Sequence, residues 1–164
     1  MVIEREITIN SSIKKAWQVL GPEFANAYKW GSAINHSEGS GTGINGATCS
    51  HRGCDVSGMG KIKEEIIKYS EDNHLLSYQI NEGMPSMVKY ATNTWQLTEI
   101  APKKTILKMK MELTVGGLIG LIMKPMMKMK MGKMATNTAD DFKHYVETDK
   151  PHPRKIKAIK KYNS

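Results

Sequence analysis

Within residues 105–115 apolar and polar side chains alternate from Leu107 onward: Leu107, Met109, Met111, Leu113 and Val115 fall on one parity, and Lys108, Lys110, Glu112 and Thr114 on the other. A period of two marks a half-buried antiparallel strand, here with methionine on its inner face. The same alternation predicts further strands upstream, joined by short turns. Residues 61–69 place Ile62, Glu64 and Ile66 on one face, and Leu76, Tyr78 and Ile80 mark the inner face of the next strand. In 88–99 the polar set Thr92, Thr94, Gln96 and Thr98 suits a solvated sheet face, which leaves Ala91, Asn93, Trp95 and Leu97 inside. Glu64 and Asn93 are thus polar groups at inward positions.

Before these strands, residues 2–9 carry Ile3, Ile7 and Ile9 on one face. Asn10, Ser11 and Ser12 then supply capping groups, and Ile13, Trp17 and Leu20 recur at helical spacing until Gly21-Pro22. A second short helix is predicted over 22–27, with Pro22 at its first position. Residues 30–37 and 46–56 read as two strands separated by a glycine- and serine-rich loop, 37–46, expected to be mobile. After Gly116-Gly117 the period changes. Met123, Met127, Met131, Ala135, Thr138, Phe142 and Tyr145 follow helical spacing to about Thr148, while Pro125 predicts a break, with a short turn before it and the long helix after it.

A chain of 164 residues with 40% apolar side chains fits one domain, residues 1–148, followed by a basic tail, 149–164. The formal charge of +8 changes little about the body, because Lys150, Arg154, Lys155, Lys157, Lys160 and Lys161 carry six of those charges. No basic groove with interleaved aromatics is apparent, so no specific nucleic-acid partner is expected. The tail reads as a solvated or disordered end, or as a weak contact for an anionic membrane. The chain opens directly on a strand rather than on a charged-then-apolar leader, and 116–123 is too short an apolar run to span a bilayer. A cytoplasmic protein with free Cys49 and Cys54 is the expectation.

The order of strand, two small helices, six-strand meander and long C-terminal helix resembles the helix-grip fold of the START and birch-pollen-allergen superfamily. Gly60-Lys61-Ile62-Lys63-Glu64-Glu65-Ile66, then Leu76-Ser77-Tyr78-Gln79-Ile80, Gly83-Met84-Pro85 and Tyr90-Ala91-Thr92, is similar to a run in its polyketide cyclase/dehydrase branch. Ile9-Asn10-Ser11-Ser12 followed by Trp17 is similar to that branch's opening. The chain departs from the branch at 108–109, where Lys108 and Met109 stand in place of a frequent tryptophan, and in its abundance of inner methionine. The resemblance implies an α+β fold: a curved antiparallel sheet of about seven strands around one long C-terminal helix, with a cavity for an apolar small molecule. It implies a reaction only weakly.

Binding of a hydrophobic molecule such as a lipid or polyketide is therefore the leading expectation. Its candidate residues are Trp30, Arg52, Ile62, Glu64, Ile66, Leu76, Tyr78, Ile80, Asn93, Trp95, Leu107, Met109, Met111, Met123, Met127, Met131 and Phe142. Methionine is flexible and polarisable, so such a lining adapts to varied shapes, although it serves equally as ordinary core filling. A cyclase or dehydratase is the alternative, with Glu64, Tyr78 and Asn93 as acid, phenolic donor and amide. Against it stands a structural Glu64–Arg52 pair. A peripheral membrane or partner-binding module acting through the tail is the third reading. Cys49, His51 and Cys54 do not share one strand face and have no second pair, so neither a metal nor a cofactor is expected. The loop 37–46 and the segment 116–125 are expected to flank one cavity opening as a gate.

Overall fold

The computed structural model describes residues 1–163. β1 (Val2–Ile9) leads into α1 (Ile13–Leu20) and a 3₁₀ helix (Phe24–Lys29). The meander follows as β2 (Ile34–Ser40), β3 (His51–Val56), β4 (Gly60–Ser70), β5 (Leu75–Glu82), β6 (Val88–Ala101) and β7 (Lys104–Val115). Two helices, α2 (Gly117–Thr148) and α3 (Pro153–Tyr162), complete the chain. The strands form one antiparallel sheet in the order β1-β7-β6-β5-β4-β3-β2, so the first strand is brought back beside the last. This is the helix-grip architecture.

Parity places the core as the alternation predicts. Leu107, Met109, Met111 and Leu113 of β7 are buried, as are Ala91, Asn93, Trp95 and Leu97 of β6. In β4 the inward set Ile62, Glu64 and Ile66 is followed by a bulge at Ile66/Lys68, which shifts the parity and turns Tyr69 inward. The sheet grips α2 through an aromatic cluster. Phe142 lies edge-on to Trp30 at 5.3 Å and to Trp95 at 5.7 Å, and is fully buried. From β1, Arg5 donates to the Gly132 carbonyl (2.9 Å) and to Thr136 Oγ1 (2.8 Å), fixing the middle of the helix.

Several boundaries differ from the pattern. The second short helix is a 3₁₀ turn starting at Phe24 rather than at Pro22, and β2 starts at Ile34. Ser37 to Ser40 belong to β2 rather than to a mobile loop. Ser37 is buried, its hydroxyl donating to the Ala25 carbonyl (2.7 Å) and accepting from Tyr28 N–H (3.1 Å). α2 continues through Pro125 instead of breaking there. Proline leaves the Leu121 carbonyl without its helical donor, but Leu121 is exposed, so water can take that bond.

The basic tail folds as well. Its His152 ring caps α3 by accepting from Arg154 N–H (3.1 Å). Arg154 donates to Asp141 (3.2 Å) and to the Asn137 carbonyl (3.0 Å), and Lys155 is buried with its ammonium on the Ile34 carbonyl (2.5 Å). Burial lowers the Lys155 pKa from its ordinary 10.5, against the pull of Asp141. Charge alone had marked these residues as solvated, but the orphan carbonyl of Ile34 and the buried carboxylate of Asp141 recruit them. Asp141 also accepts from Ser32 N–H (2.9 Å), tying three segments together. Asp141→Ala is expected to lower unfolding stability by about 3 kcal/mol in a denaturant titration, since it strands a buried N–H and a part-buried guanidinium.

Candidate functional site: two compartments under the helix

A buried ion pair stands beside the smaller of two interior spaces. Arg52 of β3 and Glu64 of β4 are cross-strand neighbours, and Arg52 Nε donates to Glu64 Oε2 at 2.6 Å with both side chains 5% exposed. The second arm of the guanidinium donates to the Phe24 carbonyl at 2.8 Å, which anchors the 3₁₀ helix over the sheet. Its plane lies 3.9 Å from the Phe24 ring centroid and 5.1 Å from that of Tyr78. Burial opposes the Arg52 charge, but Glu64, Cys54 and Tyr78 together outweigh it and the net shift is upward. The Cys54 thiol points at the same carboxylate (3.4 Å) and is pushed up to about 12, chiefly by burial. Burial also raises the Tyr78 phenol well above 10.0.

On one side of this pair lies a void of only about 40 Å³, bordered by Phe24, Trp30, Arg52, Leu76, Tyr78 and Trp95. A separate cavity of about 380 Å³, bordered by neither partner of the pair, opens between β5, β6, β7 and the middle of α2, within the range of small-molecule pockets. Six methionines line it: Met59, Met84, Met111, Met127, Met131 and Met134. Ile80, Val88, Ala91 and Leu113 complete the apolar wall, and Asn93 stands among them with its buried Oδ1 lacking a hydrogen-bond partner. Ser57, Thr92, Glu112 and Lys130 are the other polar residues of its lining.

Of the residues expected from sequence, Ile80, Asn93, Met111, Met127 and Met131 line the large cavity. Trp30, Arg52, Leu76, Tyr78 and Trp95 border the small void. Ile66, Leu107, Met109 and Phe142 are core packing, Ile62 packs with Cys54 and Val56, and Met123 is half-buried on α2 and borders neither. Glu64, Tyr78 and Asn93 do not converge: Glu64 is sealed by Arg52, Tyr78 faces the small void and Asn93 the large cavity. Sequence reasoning missed Met59, Met84 and Pro85 because they sit in turns, where periodicity carries no signal. A Gly-Met-Pro turn was nevertheless visible in the chain. Its Gly83 has φ +89°, and a Cβ there would meet the Lys61 carbonyl at 2.1 Å, so only glycine permits this approach at the cavity rim.

The expected gate is not formed. β3 separates the two segments: the glycine loop joins its His51 end, whereas Ser57 and Met59 of the cavity follow its Val56 end. Around the opening stand instead the β3–β4 turn, the β5–β6 loop and the start of α2. The last two are joined by Gly116 N–H donating to the Met87 carbonyl (2.8 Å).

The thiol of Cys54 gives a direct check on the sealed compartment. In the native protein at about pH 8 it is expected to resist iodoacetamide, and to react once guanidinium unfolds the chain, as read by peptide mass spectrometry. Between pH 9.0, where the unfolded thiol ionises, and about 12, the folded chain holds the extra proton. Stability therefore falls with rising pH across that window.

Comparison with known proteins places this architecture. The structure superposes on a START superfamily protein from Mycobacterium smegmatis with a TM-score of 0.73 and 15% identity, covering 89% of this chain and 97% of that one. Norcoclaurine synthase from Thalictrum flavum gives 0.72 at 20% identity, covering 90% and 94%. XoxI from Bacillus cereus gives 0.71 at 15%, covering 92% and 99%. At these identities the likeness is one of fold. Among curated proteins none matches. Over residues 1–147, however, the sequence matches the family model described as polyketide cyclase / dehydrase and lipid transport, and the chain belongs to that family.

Proposed function

We propose that this protein binds a hydrophobic small molecule, such as a lipid or polyketide-like compound, in the methionine-lined cavity, and carries it. The observation that supports this best is the shape and chemistry of that cavity: about 380 Å³ of space walled by thioether and aliphatic groups, on a sheet otherwise packed shut. Thioethers are soft and unbranched, so the wall accommodates chains and fused rings alike. Asn93 supplies the one orphaned acceptor in the wall. A buried acceptor without a partner destabilises the empty protein by about 1–3 kcal/mol, a penalty that a hydroxyl or amine on the ligand relieves. The preferred cargo is thus mainly hydrocarbon with a single donor group. The fold itself tolerates such use: norcoclaurine synthase of Thalictrum flavum is seen in complex with dopamine and hydroxybenzaldehyde. Cyclase or dehydratase chemistry by Glu64, Tyr78 and Asn93 gains no support from the geometry, because the three groups share no cavity.

Ala91 projects into the wall of the cavity and is 3% exposed. Ala91→Phe should fill it and weaken binding of a pyrene-labelled fatty acid at least tenfold in a fluorescence titration, while Thr98→Ala on the outer sheet face leaves binding unchanged. Equal affinity of Ala91→Phe and the parent chain would remove the cavity from consideration. Asn93→Leu is expected to raise the unfolding midpoint of the empty protein. The same substitution should abolish any preference for a long-chain alcohol over the matching alkane, measured by competition with the same probe.

A further inference from the structure

The first half of α2 has two apolar faces. Met127, Met131 and Met134, spaced by four and three residues, point into the cavity. On the opposite side Leu118, Leu121, Ile122, Met126 and Met129 also follow three- and four-residue steps, and all are exposed, Leu118 by 75% and Ile122 and Met129 by 71% each. At 100° per residue the two rows lie about half a turn apart. Lysines run between them: Lys124 and Lys128 along one border, Lys130 along the other. No acid occurs from Leu113 to Ala139, and the nearest, Glu112, is paired with Lys110 at 3.0 Å. A single exposed leucine needs no explanation, but a continuous aliphatic row with cationic borders is the pattern of a helix lying in a bilayer interface. Among the described residues no helix is long and apolar enough to cross a membrane.

Position adds a second argument. This half-helix forms one wall of the cavity, and its start is tied to the β5–β6 loop by the Gly116–Met87 bond. Met59, on the neighbouring turn, both lines the cavity and is 38% exposed. The start of the outer row is therefore held beside the β5–β6 loop, whose Met84 and Pro85 line the cavity. A second copy of this chain fits less well, since a two-fold contact through the row would bring the lysine borders of both copies together without acids between them.

We propose that the outer face of the first half of α2 docks on an anionic lipid surface. Leu118, Leu121, Ile122 and Met126 enter the acyl boundary, and Lys124 and Lys128 extend to the lipid phosphates. The inner methionine row stays against the cavity, so cargo passes between bilayer and cavity at the helix start. The docking goes beyond the binding reading and does not depend on it, whereas the passage of cargo rests on that reading.

The test is co-sedimentation of the full chain with vesicles. Binding to phosphatidylserine/phosphatidylcholine vesicles and weak binding to phosphatidylcholine alone are expected. Leu121→Glu with Ile122→Glu should lower it at least tenfold, and Lys124→Gln with Lys128→Gln by about fivefold for each lysine. Lys157→Gln with Lys160→Gln on α3 should leave it unchanged. Ile122→Trp should shift its emission to the blue on adding the anionic vesicles. Absence of vesicle binding by the parent chain overturns the proposal, as does retained binding in the double-glutamate variant or loss of binding in the α3 variant. Light scattering that shows a vesicle-free dimer dissolved by the double-glutamate change would assign the row to a second copy and overturn it too. All of these substitutions are on exposed residues, and the pyrene-fatty-acid titration of each variant in vesicle-free solution should match the parent, which separates failure of docking from failure of the cavity.

Discussion

The bond between Arg52 and Glu64 organises the interior on which the rest depends. Two charges withdrawn from water are tolerated only if their remaining hydrogen-bonding capacity is also met. Here that demand draws in the Phe24 carbonyl, the Phe24 and Tyr78 rings and the Cys54 thiol. The pair thereby pins the 3₁₀ helix to β3 and β4, and the space beside it is reduced to a void of about 40 Å³. The larger cavity is lined by neither partner of the pair, and it is there that methionine collects.

Strand parity made much of this legible in the sequence. The alternation in β6 and β7 sorts most inward from outward residues, including Asn93, because each strand has one dry face and one wet face; Thr92, expected on the solvated face, is instead buried and lines the cavity. The alternation carries no information about position along the barrel of the grip. Glu64, Tyr78 and Asn93 are all inward, yet Glu64 and Tyr78 gather around Arg52 while Asn93 lines the large cavity, and only packing in three dimensions separates them. The turns failed for a related reason. Met59 and Met84 line the cavity from segments in which no period exists to be read.

Other misreadings arise where one rule yields to another. Glycine and serine in 37–40 suggested a loop, but their backbone pairs with β3 and the Ser37 hydroxyl satisfies the 3₁₀ helix. Proline at 125 suggested a break, but it sits where the helix is bare to solvent. Lysine at 155 suggested a free tail, but a buried carbonyl outweighs the preference of an ammonium for water. In each case local propensity was overridden by a hydrogen-bonding requirement elsewhere in the fold. The overall resemblance survives these exchanges, which is why a family shared over residues 1–147 accompanies identities of only 15–20% to the superposed structures.

The neighbouring of β1 and β7 carries a kinetic implication. Ile9 pairs with Thr105 and Val2 with Glu112, so the N-terminal strand cannot take its place until nearly the whole meander has been synthesised. Pairings of such sequence separation place the fold among slow-folding topologies, in which loop closure must precede the reward of contact. During that interval Ile3, Ile7 and Ile9, made well before their partners on β7, form an apolar edge with no mate. Until β7 is in place, β1 is an unpaired strand with a row of unmet backbone groups, which makes it the segment of this sheet most open to pairing with another chain.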